Sequence, residues 1–594
     1  MIKELSELGK TIRLGKTDNE WIHNALKEEL ISMEIVISED GGFQKFESFE
    51  KKQTIAEAIT AKKGKARLLL DKAEEMFCYG GEVSGKKHKL FLEKLALYQE
   101  LNELKPVIAF YEQNKVNGLD KALKEFEIAI PDEKNRKGNI GFRIQSEGSR
   151  IHEKPEVLKR IIAEYETAQK QLLSTKQKQC SICGKSDYPV EDIPHGMIKK
   201  VPDGQTSGCA LVSYNENAFE SYYLKGNNNS SVCTNCAKTY VEGLNWLLSS
   251  GNEVTIKTKK GKEKKEFRYT NRRNFGSDTA MVFWTRKNDK LEEIDYLEAP
   301  NPGDISSLIE SAISGSERDS RYIETDQFYS CTLSGSAARI AVRDWIETSL
   351  VDFKKSIAKW FQDIAIDEYN SDLMKTQTHY SILYDLARSC QRKNSDGSYD
   401  KKDDASLARV ATYLWNAALK NTTPPHWILT KVLQRARLDE VTAERAALIK
   451  LILNRNNKGG DFVIAEKIEQ GNRPVAYVCG QIFAKLESIQ YAALGDRNAG
   501  IRERYFTYAM TAPASALGRL FNLNSKHFTK LRNEKPGLAI TLDKELQELC
   551  KEVDIYSFPT IFSLVEQGQF AIGYYHQRQL QFSGNKSKEN KEGE

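Results

Sequence analysis

Along the first 175 residues of this 594-residue chain, apolar positions recur mainly at the 3.6-residue spacing of helices. Asn19–Met33, Lys89–Leu104 and Pro155–Lys176 follow it, and a few short strands are expected near Ile35–Phe46. Farther on, Leu211-Val212-Ser213-Tyr214 reads as a short strand and Ala237–Ser249 as an amphipathic helix. Between 253 and 345 strand-length runs dominate. Val254–Lys259 and Glu266–Asn271 around Lys260–Lys264 predict a hairpin, and Thr279–Thr285 and Gln327–Thr332 predict two more strands. Asn301-Pro302-Gly303-Asp304 is loop, with Asp304 expected to cap a helix over Ile305–Ser314.

After about residue 370 every apolar-periodic stretch is helix-length: Ser381–Cys390, Ala405–Lys420, Trp427–Arg437, Val441–Asn454, Val475–Leu494, Pro513–Arg532 and Thr560–Phe582. Thr423-Pro424-Pro425 and Lys535-Pro536-Gly537 break them apart, and no strand is expected there. The pattern predicts an α+β chain. Residues 1–175 form a mostly helical, mixed α/β region, 176–250 a cysteine-bounded insert, 251–370 a β-rich region with a closing helix, and 371–594 an all-α bundle.

Hydrophobic residues make up 40% and charged residues 29%, the balance of an ordinary globular protein. No secretory leader and no apolar run of about 18 residues is present, so a cytoplasmic, reducing setting without a membrane is expected. The formal net charge is only +5, which makes the local clusters informative. Thr255–Asn274 holds nine Lys or Arg against two Glu, with Lys259, Lys260, Lys264 and Lys265 among them. Lys62, Lys63, Lys65 and Arg67 form a second cluster, with Lys72 beyond it. Such patches suit phosphate contacts confined to one face, and equally suit a solvated hairpin tip and helix end.

Chemistry concentrates in two CxxC pairs, Cys180-Ser-Ile-Cys183 and Cys233-Thr-Asn-Cys236. Two thiolates on a tight knuckle reach one Zn²⁺ at about 2.3 Å, and two knuckles complete a tetrahedron. The 49 residues between Cys183 and Cys233 exceed the roughly 15–20 of common zinc modules, so the insert is expected to form its own hairpin clamped at its base. His195 and Cys209 inside it are alternative ligands, and the same spacing also fits redox pairs or separate buried thiols. A closed tetrathiolate makes the metal structural.

Catalytic patterns are absent from the sequence. Gly9-Lys10-Thr11 and Gly15-Lys16-Thr17 miss the phosphate-loop spacing and lack a preceding strand. The eight histidines are dispersed, and no nucleophile–base pair stands out, so an enzyme is not expected.

Several segments in order carry a resemblance. Ser207-Gly208-Cys209-Ala210-Leu211-Val212-Ser213-Tyr214-Asn215, Ala218–Tyr222 and Tyr240–Leu248 resemble the central signature of the type I-C CRISPR Cascade large subunit. Asp278–Trp284 is similar to its DTxVVFW strand, and Leu333–Trp345 to its LSxNAARIxVRxW block. Ile501–Phe506 and Glu566–Gln579 match two later pieces. The resemblance implies a non-catalytic subunit that engages double-stranded target DNA at the protospacer-adjacent motif, helps open it, and recruits a helicase–nuclease.

Implied partners are the CRISPR RNA, the backbone and handle-binding subunits, and a small subunit. Arg67–Lys72, with Tyr79-Gly80, loosely matches a PNFLWD-type segment contributing to motif contact, with Arg67 at the Asn position. The C-terminal region resembles the small subunit and is expected to fold without the rest. An internal start supplying extra copies of it would fall near Met374 or at a codon read as Val475 or Val478, because no methionine lies between Met374 and Met510. A free-standing zinc-ribbon nucleic-acid-binding protein is the competing reading.

Overall fold

The computed structural model describes residues 1–14, 23–58, 66–80, 83–132, 135–257, 263–275, 277–286, 291–314, 326–392, 404–457, 460, 462–469, 471–495, 500–554 and 558–589. They divide into two compact units, one of Met1–Met197 with Val212–Leu244, the other of Ile198–Leu211 with Asn245–Glu594. The fold is mixed α/β toward the N-terminus and helical toward the C-terminus, with a four-cysteine cluster in the insert.

The first unit is built on a four-stranded sheet, β1 (Leu26–Ile37), β2 (Phe43–Glu57), β3 (Leu70–Asp71) and β4 (Ile140–Ile144), in the order β2-β1-β4-β3. β1 pairs antiparallel with β2 and parallel with β4. Met33, Ile35 and Ile37 share one face, where they join Phe43, Phe77, Phe91, Phe110, Phe126, Phe142 and Ile161 in a buried core. On the opposite face Glu34 is buried between Arg143 (2.8 Å) and Arg150 (2.6 Å). A charge that deep persists because both guanidiniums hydrogen-bond it.

Two expectations change here. Leu26–Met33 is strand, whereas the helical reading ran from Asn19 to Met33. Leu-Lys-Glu-Glu-Leu-Ile favours helix locally, but its register with Ile31↔Lys52 through Leu26↔Glu57 overrides that preference. The strands near Ile35–Phe46 are also long, at 12 and 15 residues. By contrast, Pro155–Lys176 is one helix with Pro155 at its first position, as read.

The second unit holds β5 (Gly251–Lys257), β6 (Glu263–Tyr269), β7 (Arg272–Phe275), β8 (Thr279–Thr285), β9 (Gln327–Ser336), β10 (Arg339–Ser349), β11 (Ile366–Asn370) and β12 (Lys375–His379). β5 and β6 form the expected hairpin, whose tip at 258–262 lies outside the described residues. β10-β9-β8-β7 is an antiparallel sheet in which every residue of β8 is buried, the reason that Thr279–Thr285 reads as a continuous apolar run. Asp304 sits within the helix Pro302–Ser314 rather than at its cap. Asn301 takes the capping place, its Oδ1 accepting the Gly303 N–H at 2.9 Å.

Helices follow at Leu350–Ile364, Asp404–Lys420, His426–Leu438, Ala443–Asn456, Val475–Leu494, Ile501–Thr511, Pro513–Glu534, Pro536–Lys551 and Leu564–Glu589. One buried core runs from Phe275 and Phe283 in the sheet through Phe353, Trp360 and Phe361 to Tyr574 and Tyr575. The small polar hairpin β11–β12 straddles the boundary at 370, so β12 lies in the region expected to be all helix; Glu368, Asn370, Lys375 and Gln377 offer no apolar alternation to signal it. Val475–Leu494 and Leu564–Glu589 cross with glycines at the contact: a Cβ on Gly480 would lie 2.1 Å from the Phe570 carbonyl oxygen, and one on Gly573 2.0 Å from that of Tyr477.

Candidate metal centre and basic surface

Cys180 and Cys183 sit on a knuckle that folds back on itself. The Gly184 N–H donates to the Cys180 carbonyl at 2.8 Å, and the Cys180 N–H to the Lys185 carbonyl at 2.9 Å. Gly184 has φ 70°, left-handed backbone that a residue without Cβ adopts freely. The second pair straddles the start of the Thr234–Ser249 helix, Cys233 just ahead of it and Cys236 in its first turn. All four sulfur atoms lie within 4.8 Å of one another. Thiolates about 2.3 Å from one zinc stand about 3.8 Å apart, so the four can close on a single ion with small adjustments.

The surroundings suit a cluster of negative sulfur. Cys180, Cys233 and Cys236 are buried and Cys183 half-buried. The Ile182 and Cys233 N–H groups each point at the Cys180 Sγ at 3.4 Å, and the Cys236 N–H at the Cys233 Sγ at 3.5 Å. A hydrogen bond from Cys233 draws Cys236 down against the opposing effect of burial, and Ser6 and Cys183 hydrogen bonds and the Lys10 charge assist. Cys233 is correspondingly pushed up by that bond and by burial.

Ser6 and Lys10 belong to the helix Ile2–Leu14 and carry no sequence signal linking them to the cysteines. They arrive through a close helix crossing. A Cβ on Gly9 would lie 2.0 Å from the Thr239 carbonyl oxygen, and one on Gly243 2.5 Å from that of Leu5. With no side chains there, Ser6 Oγ comes within 2.7 Å of Thr239 Oγ1, and Arg13 pairs with Glu242 at 2.5 Å. The Gly9-Lys10 pair that fails as a phosphate loop is thus a packing surface beside the thiols.

His195 and Cys209 do not join the four sulfurs. The His195 ring engages the Tyr240 hydroxyl at 3.0 Å and Asn227 Oδ1 at 3.2 Å. The Cys209 thiol donates to the Ala337 carbonyl at 3.3 Å within the second unit. The expected self-contained hairpin is also modified. Residues 198–211 belong with β9 and β10: Gly335 donates to the Pro202 carbonyl at 2.8 Å, Ala210 to that of Ala338 at 2.8 Å, and Ile340 to that of Ala210 at 3.0 Å. Leu211–Tyr214 forms no strand; the extended pairing here is limited to isolated bridges at Cys209 and Ala210 just before it. Two segments singled out separately in the sequence therefore meet side by side.

Of the basic residues, Lys62, Lys63, Lys65, Lys259 and Lys260 lie outside the described residues. Arg67 is largely covered, its guanidinium 3.1 Å from Glu29 and 3.2 Å from Asn139 Oδ1. Lys72 is exposed. Lys264 and Lys265 are exposed on β6, Lys265 with Glu253 at 3.8 Å.

The fold and site define a two-unit protein with a four-thiol knuckle centre and lysines exposed on each unit. No curated protein matches the chain. Residues 10–582 match the family described as CRISPR-associated protein (Cas_Csd1), and the chain belongs to that family, the type I-C Cascade large subunit of CRISPR defence. It is a family of non-catalytic subunits. Among the described residues no helix is long and apolar enough to cross a membrane.

Proposed function

We propose that this chain engages duplex DNA at the protospacer-adjacent motif within a type I-C Cascade complex, helps open the duplex, and recruits the helicase–nuclease. The family match across residues 10–582 carries the reading. Zn²⁺ is the cofactor proposed for Cys180, Cys183, Cys233 and Cys236, a closed set that fixes the insert and leaves no position for water. Lys62, Lys63, Lys65, Arg67 and Lys72 in one unit, and Lys259, Lys260, Lys264 and Lys265 in the other, are the proposed phosphate contacts, leaving sequence discrimination beyond the motif to the guide RNA.

Support for the Arg67–Gly80 segment comes from its backbone. Leu69, fully buried, has φ 61° and Cys78 φ 55°, left-handed values costly for residues with side chains. The Asp71 carboxylate holds the turn by accepting the Arg67 N–H at 3.0 Å and the Lys72 N–H at 3.1 Å. A loop fixed this way presents Lys72 in a set direction. Arg67 reaches a phosphate only by exchanging Glu29 for it.

A small subunit made by internal initiation is part of the same proposal. Val475 opens the helix Val475–Leu494 directly after Pro474, so a product starting there keeps five whole helices among the described residues. Met374, with φ 54° in the turn between β11 and β12, would instead part the two strands of that hairpin. The complex should be cytoplasmic and co-purify with CRISPR RNA and repeated backbone subunits when the tagged chain is expressed with them. It should bind target duplex bearing the motif more tightly than duplex lacking it; equal affinity for both would reject motif engagement.

A further inference from the structure

Ser221-Tyr222-Tyr223-Leu224 is a tight turn between the two cysteine pairs, closed by the Leu224 N–H donating to the Ser221 carbonyl at 2.8 Å. Both central residues are left-handed, Tyr222 at φ 49° and Tyr223 at φ 62°. Turns with two left-handed residues are ordinarily filled by Asn-Gly, because a Cβ crowds the following carbonyl in that backbone. Here they hold two tyrosines, 91% and 101% exposed. The chain therefore accepts left-handed backbone at two residues with side chains and exposes two aromatic rings at the same point.

The turn is nonetheless firmly mounted. Asn229 clasps both sides of it, Oδ1 accepting the Ser221 N–H at 3.2 Å and Nδ2 donating to the Leu224 carbonyl at 2.9 Å. Asn227, fully buried, donates to the Glu191 carbonyl at 2.8 Å and the Val232 carbonyl at 2.7 Å. The knuckle completes the mount, as the Ser181 N–H donates to the Ser231 carbonyl at 3.0 Å. The two rings are thus held out from the cysteine cluster on a short, braced stalk.

We infer that the Tyr222-Tyr223 turn is a stacking probe for unpaired nucleobases, an inference resting on the DNA-opening reading above. Planar rings open to solvent on both faces match a planar solute that also needs two faces covered. Such stacking tolerates any sequence, since every base has a π-face. Charge sets the salt behaviour. Glu216 and Glu220 are exposed on this loop, Lys225 is exposed beside the tip, and Lys178 reaches Asn228 Oδ1 at 2.7 Å. Two acidic against two basic side chains give no field to attract phosphates, so the tip's contribution should be nearly independent of salt, unlike that of a lysine. An unpaired strand beside an opened duplex supplies such bases.

The test is a Tyr222→Asn/Tyr223→Gly variant, which installs the residues this turn favours and so keeps or improves folding. Wild-type and variant full-length chains, each assembled in the complex, are titrated with a single-stranded oligonucleotide containing aminopurine and with a fully paired duplex, at low and high salt. The expected result is about tenfold or greater weakening for the single strand, lost aminopurine quenching, an unchanged salt slope and unchanged duplex affinity. Tyr222→Phe/Tyr223→Phe should retain binding, because the ring rather than the hydroxyl does the stacking. Equal single-strand affinity of wild type and the Asn-Gly variant overturns the inference while leaving duplex engagement standing. Failure of that variant to assemble with the other subunits also overturns it, in favour of a protein contact. Absence of any DNA binding by the wild-type complex removes both this inference and the reading beneath it.

Discussion

Gly9→Ala tests whether the helix crossing positions the thiol cluster. The added Cβ would lie 2.0 Å from the Thr239 carbonyl oxygen, a backbone atom that cannot rotate away. Reaching an ordinary contact of roughly 3.4 Å requires the two helices to part by about 1.4 Å. Overpacking of this kind costs about 1–3 kcal/mol. Losing the buried Ser6–Thr239 hydrogen bond, now 2.7 Å, adds about 1 kcal/mol. Alanine's better helix propensity returns up to about 1 kcal/mol, leaving a net loss of about 1–3 kcal/mol.

Urea unfolding followed by circular dichroism measures this loss, and release of zinc to a chromogenic chelator measures the site. Gly85→Ala is the control, since Gly85 lies in the helix Ser84–Ala96 with nothing within 4 Å of its added Cβ. The expected result is a lower midpoint and faster zinc release for Gly9→Ala alone. Equal midpoints and equal release for the two variants would refute the crossing's role.

Burial holds His152 down at about 4 from 6.5, with its Nε2 2.7 Å from Thr54 Oγ1. The unfolded chain then binds a proton that the folded chain refuses, so stability should fall by up to about 3 kcal/mol as pH drops from 6.5 to 4, and His152→Gln should flatten that dependence in acid unfolding curves. Replacing Lys72 or Lys264 with Ala should each lower the slope of log affinity against log salt by about 0.9 if each meets one phosphate; an unchanged slope places the DNA elsewhere. Intact mass spectrometry of the complex should reveal a fragment beginning at the Val475 codon and ending at Glu594, and its absence alongside full-length chain would sink internal initiation there.

Elements with strong local signals were legible. Thr279–Thr285 is apolar because both its faces are covered, and Val475–Leu494 follows Pro474 and ends before Gly495. The cysteines were legible because two residues between thiols is itself the geometry of a knuckle. What escaped was set by distant partners. Leu26–Met33 becomes strand only through its pairing with β2. Ser6 and Lys10 reach the sulfurs only because two glycines, far apart in the chain, let two helices touch. The Asn301 cap was missed because Asp304 stood nearer the apolar run. Tyr222 read as the last residue of a family signature, with Tyr223 just beyond it, and only the backbone angles and exposure show that the pair occupies a strained, open turn.

Elemental analysis of the chain purified in its guide-RNA complex tests the account most directly. It should find about one zinc per wild-type chain and none in the Cys180→Ser/Cys233→Ser variant, which removes one ligand from each knuckle. Full retention of zinc in that variant, or none in the wild type, would contradict a four-cysteine zinc clamp in this subunit.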